Sequence, residues 1–124
     1  MSLMDIANEL VAACRSGEEG DTLDRLYAPD AVSAEAFAME GTGMPRVAEG
    51  RDAIHAKHDW WNANMEMLGG SISDPMPHGD DKFAVIFKMQ AKEKHSGNVM
   101  DMEEVGIYTV ADGKITREEF FYSM

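Results

Sequence analysis

Between Met4 and about Ser16, apolar side chains fall at Ile6, Ala7, Leu10, Val11 and Cys14. That spacing is one face of a helix, and Gly17 supplies its stop. In "GDTLDRLYAPDA" (20–31), Asp21 is placed to cap a short second helix. Leu23, Leu26 and Tyr27 form its face and Pro29 ends it. "AVSAEAFAM" (31–39) reads as a strand diluted by alanine, and "GTGMP" (41–45) as a loop. A third helix is predicted from about Arg51 to Met67. There Ile54, His58, Trp61, Met65 and Leu68 follow at steps of four, three, four and three and make one stripe.

Beyond "GG" (69–70) the period drops to two. "SISDPMP" (71–77), "KFAVIFKMQAKEK" (82–94), "VMDMEEVGIYTV" (99–110) and "KITREEFFY" (114–122) read as extended segments. The stretches "HGDD" (78–81), "HSGN" (95–98) and "ADG" (111–113) between them are hairpin turns. Pro75 and Pro77 mark the first segment as an edge or irregular strand. Helices followed by an antiparallel meander predict an α+β fold, and with no repeat or linker the chain is read as one domain, 1–124.

Both faces of that sheet carry apolar side chains. Phe83, Val85, Phe87 and Met89 share one side of their strand, Ala84 and Ile86 the other. Val105 and Ile107 oppose Tyr108 and Val110, and Phe121 opposes Phe120 and Tyr122. A sheet covered by helices on one side is ordinarily polar on the other. The outer face is therefore expected to pack on a second copy, as a homodimer.

Charge narrows the partners. Eleven Lys and Arg against 23 Asp and Glu give a net charge of −12, which repels phosphate backbones and anionic lipid, so neither nucleic acid nor a membrane is expected. Cys14 is the single cysteine and lies on the first helix's apolar stripe, so it reads as an inert thiol in a reducing, cytoplasmic setting. There is no long apolar run and no signal peptide, and Met1-Ser2-Leu3 reads as a cloning leader. No phosphate-binding glycine loop, nucleophile elbow or Cys-x-x-Cys is found, which sets aside nucleotide-driven and serine-hydrolase chemistry.

"DTLDRLYAPDAV" (21–32), "EGRDAIHAKHDWW" (49–61) and "IYTVADGKITREEFFY" (107–122) resemble the nuclear transport factor 2-like superfamily, and within it SnoaL-like proteins and ketosteroid isomerases. The resemblance spans essentially the whole chain. It implies three N-terminal helices and a curved antiparallel sheet forming a cone around the long helix, with one deep apolar pocket for a small hydrophobic ligand. It also implies cofactor-free acid/base chemistry of isomerase, cyclase or lyase type. The superfamily holds many activities, so a non-catalytic ligand-binding or dimeric scaffold module stands as the alternative.

Six residues are candidates. His58 is a polar ring on the inward stripe, either a core histidine satisfied by one hydrogen bond or a general acid/base; the resemblance brings it near a tyrosine that supports the isomerase oxyanion hole. Sliding "LYAPDAVSAEA" (26–36) against the isomerase pattern puts Glu35 on the catalytic base, while an exposed strand glutamate is the plain alternative. The isomerase needs two oxyanion donors. Leu10 stands where one, a tyrosine, belongs, and the acidic donor has an approximate counterpart in Glu103 or Glu104, with Glu104 favoured because it shares the face of Met102 and Tyr108. Tyr27, Trp61 and Tyr108 are taken as ligand-contacting wall, with core packing the ordinary alternative for Trp61. Glu118 and Glu119 could also reach the pocket, although solvated strand charge is their commoner explanation. The eleven methionines would suit a pocket for flat hydrophobic ligands or a loosely specified core. His55, at i, i+3 to His58 and beside Asp59, invites a metal, but it falls off the stripe and no further ligand is in view. No metal or cofactor is expected.

Overall fold

The computed structural model describes residues 2–17, 19–38 and 43–123. Three helices precede most of the sheet: α1 (Leu3–Ser16), α2 (Glu19–Leu26) and α3 (Arg51–Asn64). The strands are β1 (Tyr27–Ala34), β2 (Val47–Glu49), β3 (Met65–Ile72), β4 (Met76–His78), β5 (Lys82–Glu93), β6 (Val99–Ala111) and β7 (Lys114–Phe121). They form one curved, open sheet in the order β2-β1-β7-β6-β5-β3, with β4 pairing the end of β5.

Local chemistry explains the helix boundaries. Ser2 caps α1 in a reciprocal box with Asp5, and Gly17 closes it in the left-handed conformation at φ 79°. Its stripe of Ile6, Ala7, Leu10 and Val11 is buried against the sheet. Cys14, on the same stripe, is half-buried. No described helix is long and apolar enough to cross a membrane.

The fold is α+β as expected, and it differs from the sequence-based expectations in instructive places. The sheet is mixed, since β1 runs parallel to β7. These strands lie at opposite ends of the chain, so no hairpin dictates their direction. β1 begins at Tyr27, not Ala31, and takes in Pro29, which is tolerated because the β1–β7 register breaks between Tyr27 and Val32 and asks no ladder bond there. It stops at Ala34; the expected strand end at Met39, and Gly41 and Thr42 of the expected loop, lie outside the described residues. The three-residue β2 had no sequence signal.

α3 ends at Asn64, three residues short, because Met65 turns extended and starts β3. Met65 is buried as the first residue of β3, and an apolar residue there fits the helical stripe equally well. Leu68, the last step of the expected stripe, is exposed. "GG" (69–70) is no terminator but lies inside β3, just after a register shift between Met67 and Gly69, and a side chain on Gly70 would collide with the backbone of Lys88.

The register defines an inward face. Phe83, Tyr108, Glu118 and Ser33 lie in one row across β5, β6, β7 and β1. Val85, Gly106 and Phe120 form the next row, and Phe87 stands opposite Glu104 in the one after. The helices pack on this face, and its apolar members make up the core with Ile6, Leu10, Leu23, Leu26 and Ile54. Gly106 leaves room for the rings: a Cβ there would come within 3.0–3.2 Å of Tyr108, Phe87 and Phe120.

Candidate functional site

Among the described residues, Lys57, Glu35, Glu104 and Glu118 bring charge into this largely apolar interior. β1 and the residue after it alternate so that Ser33 and Glu35 point the same way. One turn beyond Ile54 on α3, Lys57 extends its amine to Ser33 Oγ at 2.8 Å and to Glu35 Oε1 at 3.4 Å. The Lys57 and Glu35 side chains are only 19% and 16% exposed, so solvent screens this pair little. The same amine lies over the Phe120 ring, 5.1 Å from its centroid. Glu118 and Glu104 complete the group from β7 and β6.

Electrostatics links them. Burial pushes the Glu104 carboxyl up to about 7, the Glu35 and Glu118 charges add to the rise, and Lys57 opposes it. Burial likewise raises Glu118 to about 7; Lys57 and a hydrogen bond from the Tyr27 hydroxyl pull down, and Glu35 pushes up. Glu118 is 2% exposed, yet its Oε1 has no hydrogen-bond partner, and neither has the buried Oε2 of Glu35. Unpaired buried carboxylate oxygens are costly and rare, and a ligand that brings donors would satisfy them.

Aromatic rings frame the cluster. Tyr108 stacks on Phe83 at 4.9 Å and meets Phe120 edge-on at 6.2 Å. Tyr27 is buried, and desolvation followed by the Glu118 charge holds its hydroxyl protonated far above the usual range. Phe37 and Tyr122, their rings 5.9 Å apart, form the exposed edge. The Tyr122 hydroxyl is raised by burial and then by the charges of Glu35 and Glu104.

Of the six sequence candidates, Glu35, Glu104, Tyr27 and Tyr108 fall in or against this cluster. Glu104 points inward, opposite Phe87, whereas Glu103 pairs with the exposed Lys88. Glu119 forms an outward ion pair with Arg117 at 2.6 Å. His58 does not join Glu35: neither an ion pair nor a hydrogen bond connects them among the described residues. Burial and then the Lys57 and His55 charges lower the His58 ring to about 4, so it is neutral near pH 7. His55 meets Asp24 at 2.8 Å instead of forming a histidine pair. Trp61 is half-buried on α3.

Two residues were under-read. Lys57 sits three after Ile54 and four before Trp61, so its helical phase is as inward as that of His58. Glu118 has the parity of Phe120 and Tyr122, which already marked it as inward. Two shallow surface clefts lie elsewhere, one over Gly69, Gly70, Lys88 and Met102, the other between α1 and α2 at Glu9, Ala13 and Arg25. The first is lined by exposed residues such as Lys88, Gln90, Asp101 and Glu103 and has no buried cluster of this kind.

A mixed, curved sheet cradling three helices is the fold of solved nuclear transport factor 2-like and cystatin-like proteins. Residues 1–122 match the model of the SnoaL-like domain, and the chain belongs to that family. It is similar to a candidate SnoaL-like polyketide cyclase, also labelled a carbohydrate phosphatase, from Mesorhizobium loti: 38% identity, 98% of this chain and 100% of that one covered, TM-score 0.86. A nuclear transport factor 2-like protein of unknown function from Burkholderia pseudomallei shares 16% identity over 97% of this chain and 89% of its own, with TM-score 0.80. A cystatin-like protein of unknown function from Xanthomonas campestris shares 19% over 100% and 92%, with TM-score 0.77. Among curated proteins there is no significant match.

Proposed function

We propose that the chain is a cofactor-independent acid/base enzyme that moves a proton on a small apolar carbonyl compound, the chemistry shared by cyclases and isomerases. One observation carries this: a carboxylate with a free, buried oxygen (Glu35 Oε2) and a carboxyl poised at about 7 (Glu104) share one inward cluster. Glu35 takes the proton beside the carbonyl, and Glu104, while protonated, donates to the developing enolate oxygen. Tyr108 and Tyr27 shape the wall, and Trp61 extends it along α3. The polyketide cyclase part of the Mesorhizobium loti relative's name is in keeping with such chemistry, and its carbohydrate phosphatase label is not.

The test is proton exchange. Apolar ketones incubated with the protein in D2O are expected to gain deuterium at the α-carbon, read by NMR, and Glu35→Gln is expected to remove that gain. A panel that binds, as seen by a raised melting temperature, yet exchanges no faster than in buffer would overturn the reading. That outcome would favour the second one, a non-catalytic hydrophobic-ligand module. Its supporting observation is that the concave face is largely filled by its own rings, with Phe83 and Tyr108 almost fully buried.

We further propose that the outer sheet face joins two copies. Ile86, Val105 and Phe121 form an apolar row across β5, β6 and β7 on the side away from the helices, and Phe121 is 52% exposed. Sedimentation equilibrium is expected to give a dimer, and Phe121→Glu a monomer; a wild-type monomer at micromolar concentration would rule the dimer out.

A further inference from the structure

We infer that Lys57 is a second oxyanion donor of this site beside Glu104, a role that rests on the acid/base reading above. Its ammonium has three N–H groups. Ser33 Oγ takes one at 2.8 Å, and Glu35 Oε1 stands 3.4 Å away as an ion-pair partner. No third acceptor meets it among the described residues, and the Phe120 ring beneath it offers a π face but no oxygen. One donor is left for a ligand, on the amine already paired with the base.

That pairing is what makes the placement chemically productive. When Glu35 Oε2 takes the α-proton, a new O–H bond forms and the C–H bond breaks. The C–H electron pair becomes the C=C bond of the enolate, and the carbonyl π pair moves onto oxygen. Glu35 becomes neutral as the ligand oxygen becomes negative, so the site's net charge is unchanged. The counter-charge of Lys57 therefore passes from Glu35 to the enolate with no long-range rearrangement. An attraction that strengthens only as charge develops acts on the transition state and not on the bound ketone. The two oxygens of one carboxylate are also offset by about the distance between an α-carbon and its carbonyl oxygen. A ketone set against Glu35 Oε2 thus brings its oxygen toward the amine beside Oε1.

The experiment uses 2-naphthol, an apolar stand-in for the enol, whose ultraviolet absorption separates the neutral from the ionised form. In Glu35→Gln the ammonium has lost its carboxylate and is expected to hold the probe as naphtholate. Its bound ionisation should then occur about 1–3 pH units lower than in the double variant Glu35→Gln/Lys57→Met, as expected for an opposite charge within contact range. Glu35→Gln/Lys57→Arg is expected to restore the shift. Both backgrounds lack the Glu35 carboxylate, so loss of the lysine strands no charge on that residue; Glu104 and Glu118 are common to both, and circular dichroism checks that each variant is folded. Equal ionisation with and without Lys57 would make it a structural counter-ion only and leave the acid/base reading standing. Failure of 2-naphthol to bind the wild type and every variant would overturn both.

Discussion

Lys57→Met is expected to cost about 3–5 kcal/mol of folding stability at pH 8, the loss typical of stranding a buried charge. An exposed ion pair is worth about 0–1 kcal/mol, so the size of the loss decides where this pair belongs. Low exposure, the bond to Ser33 Oγ and the facing carboxyls put Lys57 in the buried class. Without the amine, Glu35 keeps one oxygen that is already unpaired and gains a second, while Glu104 and Glu118 lose the positive charge that holds their carboxyls down. Glu104 and Glu118 escape part of the penalty by taking up protons, so the loss should shrink toward pH 5. Glu35→Gln/Lys57→Met removes both charges and is expected to recover most of it, which a simple loss of lysine packing would not allow. Urea unfolding of the wild type, both singles and the double closes this cycle. A cost below about 1 kcal/mol for Lys57→Met would mean that the amine merely lies along the surface of the site.

The architecture was legible because long-period and short-period segments sit in separate halves of the chain. The stripes of α1 and α3 and the alternation of β5 decide which faces are buried, and the parity of β6 decides between Glu104 and Glu103. Pairings between distant strands were not legible. Nothing in "AVSA" or "REEF" states that β1 runs parallel to β7, yet that pairing sets Ser33 beside Glu118 and so builds half of the cluster. Composition also misled in a specific way. A histidine on an inward stripe draws attention because its ordinary pKa suits proton transfer, while a lysine one residue earlier is read as solvated. A lysine reaches further, and from nearly the same helical phase it spans to β1, where the ring of His58 makes no bond. Glu118 was discounted because charged residues on late strands are usually exposed, although its parity already placed it with Phe120.

Unfolding free energy is expected to fall as pH rises between about 4.5 and 7, against the usual behaviour of carboxylates that are stabilised by folding. Glu104 and Glu118 each have a folded pKa near 7 and an unfolded value of 4.5, so between those limits the folded chain holds the extra protons. Stability that depends on the protonated carboxyl is complete below 4.5 and is lost as pH passes through 7. Such a change is worth roughly 3 kcal/mol for one group, and less than twice that for two that feel each other's charge. His58 acts in the opposite direction. Its folded value of about 4 lies below the ordinary 6.5, so its contribution is lost as pH falls from 6.5 toward 4. Two carboxyls outweigh one imidazole, and the net slope still favours the acid side. The net charge of −12 adds general self-repulsion at high pH, which a variant must separate from the site. Glu118→Gln does so: it changes the overall charge by one, keeps the acceptor for Tyr27, and removes the buried titration. Urea midpoints from pH 4 to 9 should therefore decline less steeply in Glu118→Gln than in the wild type, with the two profiles converging near pH 4.5. Parallel profiles would mean that Glu118 is ionised at low pH in the folded chain, with its charge met by Lys57. In that case Glu118 would be the fixed counter-ion of Lys57, and Glu104 alone would be left to give a proton.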